Sequence, residues 1–290
     1  MTGGTAGFGA EAVRMVTSAG LPNLALGART PDTVPREIAD RVSVEPLDLA
    51  RFSSVNAFCK TVLERGPFRG LVCNAGLNSR QPKTTEDGFD LTFQANFLSH
   101  FLILQRLWDH LTPDAHILIT SSGTHDPEEK TPPPPPKHAD VKRLAHPQGD
   151  PELDRSKSRA AARAYTASKL CCTALSLELA RRRPEGLSVS FDPGLVPGTS
   201  LTREFPQWLV KLLLPIMSRT MPADRTSTLP ASATALAHFM AQSSLVGSNG
   251  DYVAMRGGHP VVVPPSQMAR EPDVQRKVWD DSLALISDQL

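Results

Sequence analysis

The sequence predicts an α/β fold built on a doubly wound parallel sheet with helices on both faces. Three observations predict it. Short apolar segments of strand length alternate with longer segments of helical period along most of the 290 residues. A glycine-rich turn opens the chain directly before a helical segment, and small or polar residues follow several strands. We expect residues 1–290 to form one domain.

The opening turn has the glycine spacing of a dinucleotide-binding, or Rossmann, loop. Such a turn lets backbone N–H groups and the N-terminus of the next helix, here over 10–16, bind a pyrophosphate. The alternative is a flexible N-terminal loop. The residues expected to line the cofactor here are Gly3, Thr5, Gly7, Phe8 and Gly9.

Arg29 directly follows the apolar segment 22–28, which is predicted as a strand. An acidic residue at this place binds the ribose 2′-OH of NAD, whereas an arginine accommodates the 2′-phosphate of NADP. Positions 27–30 hold no Asp or Glu, so Arg29 favours NADP(H). The alternative is a solvated arginine at a strand end.

The next strand is predicted over 42–46 and is followed by Asp48 and Leu49. Asp48 is expected either to contact the adenine edge of the cofactor or to cap the helix predicted over 51–65. A third strand over 69–73 ends in Asn74-Ala75-Gly76, whose small side chains permit a ligand to approach the backbone closely.

A long amphipathic helix over 86–111 carries Asn96 among apolar side chains, where a buried amide needs a partner or a function. The strand over 116–120 follows, and Ser122 comes just after its carboxyl end. Its hydroxyl is therefore expected in the same crevice as the preceding strand ends.

Tyr165 and Lys169 lie four residues apart in a helix predicted over 159–183, and therefore on one face of it. A nearby ammonium group lowers the pKa of a phenol, which would let Tyr165 exchange a proton at neutral pH. An enzyme that reduces a carbonyl or oxidises an alcohol needs such a group. The alternative is two unrelated side chains on one helix.

Two segments interrupt the alternation. Residues 124–159 contain five consecutive prolines and few large apolar residues, which predicts an inserted loop; it either crosses the surface stiffly or docks on a partner. Residues 195–222 include the apolar segment 205–215, interpreted as a lid over an apolar pocket; ordinary core and a membrane-surface helix remain alternatives. The other predicted elements are strands over 187–191 and 251–255 and helices over 225–242 and 272–290.

The composition excludes several classes of protein. The net charge of +1 gives no overall attraction to nucleic acid, and no apolar run approaches the length of a membrane span. The four cysteines have no disulfide-type spacing, which favours a cytoplasmic setting, and the histidines show no metal-binding pattern. We therefore predict no bound metal.

Taken in order, these motifs resemble the short-chain dehydrogenase/reductase superfamily over nearly the whole chain. The resemblance implies that Tyr165 is the acid in reduction and the base in oxidation, with Ser122 bonded to the substrate oxygen. It implies that Lys169 lowers the pKa of Tyr165 and binds the nicotinamide ribose, and that Asn96 holds a water leading to solvent. The late cofactor loop would be Pro193, Gly194, Val196 and Thr199.

Within the superfamily, the long interval between Ser122 and Tyr165 is similar to that of the retinol dehydrogenase and protochlorophyllide reductase branch. Two positions depart from the pattern. The reductase has a functional cysteine directly after Pro-Gly, where this chain has Leu195, which argues against photoreduction of protochlorophyllide. The usual threonine of the late loop is replaced by Gly198, with Thr199 one residue later.

A strand should precede the glycine turn, yet only Met1 does so. We expect Met1 to be the last residue of a lost central strand, whose absence would remove pairing on both sides.

The sequence thus predicts an NADP(H)-dependent oxidoreductase that interconverts a carbonyl and an alcohol on an apolar small molecule. The alternative is a non-catalytic nucleotide-binding protein that acts through a partner. The resemblance also implies a homodimer or homotetramer, formed through the helices that carry Asn96 and Tyr165.

Overall fold

The computed structural model describes residues 1–21, 23–196, 225–242 and 247–290. Its sheet confirms the predicted doubly wound arrangement, with parallel strands between two layers of helices. The strands are β1 (Ala25–Ala28), β2 (Ser43–Pro46), β3 (Phe68–Cys73), β4 (Leu111–Thr120), β5 (Leu187–Asp192), β6 (Tyr252–Arg256) and β7 (His259–Val262).

Strand β1 pairs in parallel with β2, and β3 to β6 pair in parallel in chain order. Strand β7 was not predicted. It pairs antiparallel with β6 through a turn at Gly257 and Gly258, both of which have positive φ angles.

Met1 and Thr2 lie between β1 and β3. Thr2 forms isolated parallel bridges to Gly27 on one side and to Cys73 on the other, and so joins the two parts of the sheet. The Thr2 N–H donates to the Val72 carbonyl at 2.9 Å, and the Gly27 N–H donates to the Met1 carbonyl at 2.9 Å. The glycine turn therefore starts from the middle of the sheet.

Alternate residues of each strand point to opposite faces of the sheet, so both faces are apolar and helices cover each of them. Leu71 and Ile117 face one apolar cluster, while Val72 and Leu118 face the other. The helices are α1 (Gly7–Ser18), α2 (Arg36–Ala39), α3 (Phe52–Leu63), α4 (Leu91–Phe93), α5 (Ser99–Leu107), α6 (Val141–Ala145), α7 (Lys157–Arg182), α8 (Leu229–Met240), α9 (Gln267–Arg270) and α10 (Pro272–Leu285). Among the described residues, none of the helices combines the length and apolarity that crossing a bilayer requires.

The predicted helix over 86–111 is shorter and broken. It begins at Leu91, because the Asp90 carboxylate accepts from the Phe93 N–H at 2.9 Å and caps it. Between α4 and α5 the segment Gln94–Leu98 forms a π-helix, so Asn96 lies in a widened turn. Strand β4 then begins at Leu111, earlier than predicted.

The proline-rich insert is more ordered than a plain loop. It contains helix α6 and short 3-10 turns, and Asp140 caps α6 through the Arg143 N–H. Two carbonyls of the proline run accept hydrogen bonds from α7, one from Thr166 at 2.9 Å and one from Arg163. The run is therefore fastened along the helix that carries Tyr165.

The C-terminal segment covers the outer face of α5 and α7. The Trp279 ring on α10 lies edge-on to Phe101 at 5.2 Å and to Trp108 at 5.5 Å, and the Arg182 guanidinium stacks over it at 4.2 Å. The face expected as a contact surface between subunits is thus occupied by the chain's own α9 and α10. The dimer or tetramer itself stays a prediction.

We expect Trp279→Ala to lower the free energy of unfolding by about 3–5 kcal/mol, because it leaves a cavity between α10, α5 and α7. Urea unfolding followed by circular dichroism measures this. Leu283→Ala is the matched control on the same helix, since Leu283 is 37% exposed; it should cost less than about 0.5 kcal/mol. Equal losses in both variants would show that α10 is not packed in this way.

Candidate active site

The predicted site residues lie at one edge of the sheet. Arg29, Asp48, Asn74, Ser122 and Pro193 come shortly after the carboxyl ends of β1 to β5 in turn. Because these strands are parallel, their carboxyl ends meet at the same edge, where a crevice for a ligand is expected.

The glycine turn packs closely against the end of β3. A side chain at Gly3, which has a φ of +71°, would lie 2.6 Å from the Ala75 nitrogen; one at Gly9 would lie 2.1 Å from the Gly3 carbonyl oxygen. The Asn74 amide donates to the Gly3 carbonyl at 2.8 Å and accepts from Thr120 at 3.0 Å. The turn is thereby held with helix α1 starting at Gly7, so the N-terminus of α1 faces the crevice edge.

The remaining residues of the predicted nucleotide site differ in exposure. Thr5 is partly exposed, whereas the Phe8 ring is buried in the core and leaves only its backbone for a ligand. Arg29 is exposed at the end of β1. Ala75 follows Asn74 and donates its N–H to the Thr2 hydroxyl.

Asp48 does not cap the next helix. Its carboxylate accepts from the Ala50 N–H at 3.1 Å, whereas α3 begins at Phe52, whose N–H is bound by Asp87 at 2.8 Å. The capping alternative is therefore wrong, and the adenine contact stays a prediction. The Leu49 carbonyl accepts from the Ser99 hydroxyl at 2.7 Å, which ties this loop to α5.

Asn96 joins three elements. Its side chain accepts from the Leu77 N–H at 2.8 Å, donates to the Leu77 carbonyl at 2.9 Å and donates to the Ser168 hydroxyl on α7 at 3.1 Å. Gly76 permits this approach, since a Cβ there would lie 3.3 Å from the Asn96 Oδ1 and 3.6 Å from the Lys169 Nζ. The side chains of Asn96 and Lys169 thus both lie next to Gly76, at the end of the Asn74-Ala75-Gly76 segment.

Tyr165 reaches Ser122 across the crevice. Its side chain is 7% exposed, and the Ser122 side chain lies close enough to act on the pKa of its hydroxyl. The pKa of Tyr165 is nevertheless raised, first by burial and then by the nearby Asp192 charge, while the Ser122 side chain acts to lower it. The expectation that this pKa is lowered is not met, and the phenol stays protonated at neutral pH.

The position of Lys169 explains that difference. Its Nζ donates to the Thr120 carbonyl at 2.8 Å and lies over the Tyr165 ring, 5.7 Å from the ring centre, rather than bonded to the hydroxyl. Burial lowers the pKa of Lys169, which is the opposite of its effect on Tyr165. The pair still lies on one face of α7, as the spacing predicted.

Asp192 is a buried carboxylate that the sequence argument did not single out. One oxygen accepts from the Gly123 N–H at 3.0 Å and the other from the Gly194 N–H at 2.9 Å. The Arg256 guanidinium lies 3.7 Å from the Asp192 carboxylate. Asp192 thus fixes the loop after Ser122 against the Pro193-Gly194 turn. The position of Asp192 directly before the Pro193-Gly194 turn is the sequence feature that could have indicated this role.

The late loop is only partly described. Gly194 has a φ of +71°, and Val196 is buried. Leu195 pairs with Thr226 in an isolated bridge. Thr199 and the predicted lid from residue 197 onward, including segment 205–215, lie outside the described residues.

One group of possible metal ligands occurs in the described part of the chain: His138, Asp150 and Glu152 in the insert. The Arg143 guanidinium donates to Asp150 and to Glu152, the latter at 2.8 Å, and His138 lies 2.9 Å from Asp150. Both carboxylates therefore already have a cationic partner, and the group is best described as an ion-pair cluster.

Chemically, the crevice combines a turn suited to a pyrophosphate with a protonated phenol, a hydroxyl and an ammonium group. Such a set can hold an extended nucleotide and present a proton donor to an oxygen atom beside it.

Comparisons with known proteins bear on the family and the fold of this chain. The model of the family described as short chain dehydrogenase matches residues 1–130. A WW domain-containing oxidoreductase from Danio rerio is 30% identical over 86% of this chain, which spans 57% of that relative's length. Protochlorophyllide reductase A from Oryza sativa subsp. japonica is 29% identical over 99% of this chain and 79% of its own.

A solved structure of a protein from Mycobacterium paratuberculosis superposes with a TM-score of 0.71 at 22% identity, covering 99% of this chain and 91% of the other. At that identity the likeness concerns the fold.

Proposed function

Since the chain belongs to the short-chain dehydrogenase/reductase family, we propose that it is an NADP(H)-dependent oxidoreductase interconverting a carbonyl and an alcohol on an apolar small molecule. One observation carries the proposal: Tyr165 and Lys169 lie one turn apart on the same helix, and Ser122 is close enough to Tyr165 to act on its pKa. A protein that only binds nucleotide does not need this set of groups.

The residues of the glycine turn fit a dinucleotide. Gly3 and Gly9 lack side chains where any Cβ would collide with backbone, and this leaves N–H groups and the start of α1 for a pyrophosphate. The bound nicotinamide would supply the hydride; the protein supplies alignment and the proton.

The proposed proton step uses the phenol as the structure has it. Ser122 donates a hydrogen bond to the carbonyl oxygen, and Tyr165 donates its proton to the same atom as negative charge develops there. The raised pKa of Tyr165 keeps it in the acid form that reduction needs. Lys169, fixed on the Thr120 carbonyl, is placed beside the phenol and near Asn96.

The preference for NADP(H) rests on Arg29. We expect Arg29→Ala to raise the KM for NADPH about 10- to 100-fold while changing the KM for NADH little, because a charge-assisted bond to the 2′-phosphate is lost. Steady-state kinetics with both cofactors measures this. Arg41→Ala is the control, since Arg41 precedes β2 and so lies near the opposite edge of the sheet. Wild-type turnover with NADH as good as with NADPH would contradict the role of Arg29.

The non-catalytic alternative relied on the proline run as a docking segment. Carbonyls of that run accept hydrogen bonds from Thr166 and Arg163, which supports a role within the molecule instead. The direct test is consumption of NADPH with a panel of apolar ketones, aldehydes and quinones. Turnover of at least one class is expected. Tight NADPH binding without turnover of any class would favour the alternative.

A further inference from the structure

His100 is a buried histidine that links the glycine turn to Asn96. Its ring lies on α5, four residues after Asn96 and 3% exposed. The Nε2 atom is 2.9 Å from the Thr2 hydroxyl, and the Nδ1 atom is 3.0 Å from the Asn96 carbonyl oxygen. The ring therefore spans the distance between the start of the turn and the π-helix.

The surrounding bonds determine which ring nitrogen carries the proton. The Thr2 hydroxyl oxygen already accepts two hydrogen bonds, from the N–H groups of Asn74 and Ala75, each at 3.0 Å. A hydroxyl has two acceptor sites and one proton, so its O–H donates to the ring. The Nε2 atom is thus the acceptor, and Nδ1–H donates to the Asn96 carbonyl.

We propose that His100, as the neutral Nδ1–H tautomer, is a positioning residue that holds the Asn96 carbonyl and the glycine turn in register. The inference rests on the proposed function, because Asn96 meets Lys169 at Gly76. The side chain of Asn96 is fixed by Leu77 and Ser168. Its backbone carbonyl is bound by His100, and the Cys172 thiol donates to the same carbonyl at 3.4 Å.

The protonation state supports this assignment. Burial lowers the pKa of His100 to about 4, with the positive charges of Lys169 and the Met1 amine acting in the same direction and the Asn96 carbonyl against it. The ring is therefore neutral at physiological pH. In a charged ring Nε2 would also carry a proton, and its N–H would point at the Thr2 hydroxyl oxygen, whose two acceptor sites are already filled.

Two substitutions distinguish the effect of the bond from His100 to the Asn96 carbonyl from that of its bond to Thr2. His100→Phe removes both, and we expect kcat to fall about 10- to 100-fold and the Kd for NADPH to rise about tenfold. His100→Asn keeps an N–H donor at the position of Nδ1 but cannot reach Thr2. It should restore kcat to within about threefold of wild type while NADPH binding stays weak.

If the substitutions acted only by loosening the packing, kcat and the Kd for NADPH would change together in both His100→Phe and His100→Asn. The decisive result is therefore a variant, His100→Asn, in which kcat recovers while the Kd does not. Equal loss of kcat in the Asn and Phe variants, or a Phe variant within twofold of wild type, would overturn the proposal. If Tyr165→Phe turned over at the wild-type rate, the proposed function would fail instead, and the two failures are thereby distinguished.

A second measurement uses the wild-type protein and requires no variant to fold. Nitrogen-15 spectra of the imidazole rings report which nitrogen is protonated. For His100 we expect a protonated Nδ1 and a bare Nε2 at pH 7, with or without NADPH. A protonated Nε2 would contradict the assignment.

Discussion

Replacing Tyr165 with phenylalanine is expected to lower kcat for carbonyl reduction by about a thousandfold or more, because it removes the phenol that we propose as the proton donor near Ser122. NADPH binding should change less than about threefold, since the ring remains. Stopped-flow and steady-state assays of NADPH oxidation measure the rate, and fluorescence titration measures the Kd.

The chain offers a matched control, because it has only two tyrosines. Tyr252 is also buried and lies on β6, with its ring 4.9 Å from His125, and its hydroxyl is not among the groups proposed to touch the substrate. Tyr252→Phe removes the same atom and should leave kcat within about threefold of wild type. Comparable losses in both variants would show that Tyr165 has no special role.

The pH dependence follows from the direction of the pKa shift. Burial and the Asp192 charge raise the pKa of Tyr165, so the acid form persists through neutral pH and beyond about pH 10, the usual value for a phenol. Reduction should therefore keep its rate across that range. Oxidation of the alcohol needs the phenolate and should rise with pH over the same range.

Lys169→Met is expected to lower kcat about a hundredfold or more and yet leave the melting temperature unchanged or higher. The loss of rate follows because the ammonium beside Tyr165 is removed. The stability argument is separate. Lys169 is 3% exposed, and its ammonium donates to the neutral Thr120 carbonyl. Burying the charge is therefore costly, and an apolar side chain of similar length removes that cost.

Thermal unfolding by calorimetry and the NADPH assay on the same preparation test both parts. Lys157→Met, at the exposed start of α7, is the control and should change neither quantity measurably. A melting temperature several degrees below wild type for Lys169→Met would show that this ammonium stabilises the fold, contrary to the account.

Much of the fold follows from local pattern. Short apolar segments gave β3 and β5 nearly to the residue, and the i, i+4 spacing put Tyr165 and Lys169 on one helical face. The glycine turn was identifiable because Gly3 and Gly9 occupy positions that exclude a side chain. The crevice could then be located from topology alone, since parallel strands end at one edge.

What the sequence did not predict depends on distant partners. The π-helix around Asn96 and the cover of α5 by Trp279 join segments far apart in the chain. The direction of the pKa shift of Tyr165 required its burial and the position of Asp192, neither of which spacing reveals. The link from Thr2 to His100 spans 98 residues. A lone histidine in an apolar helix was the available signal for it.

The most direct test of the account is a single turnover with NADPH deuterated at the transferable position of the nicotinamide, with the product alcohol analysed by mass spectrometry. The account predicts one deuterium at the carbinol carbon for wild type and Tyr252→Phe, and about a thousandfold slower labelling for Tyr165→Phe. Labelling by Tyr165→Phe at the wild-type rate, or bound NADPH that labels no carbonyl of the panel, would contradict it.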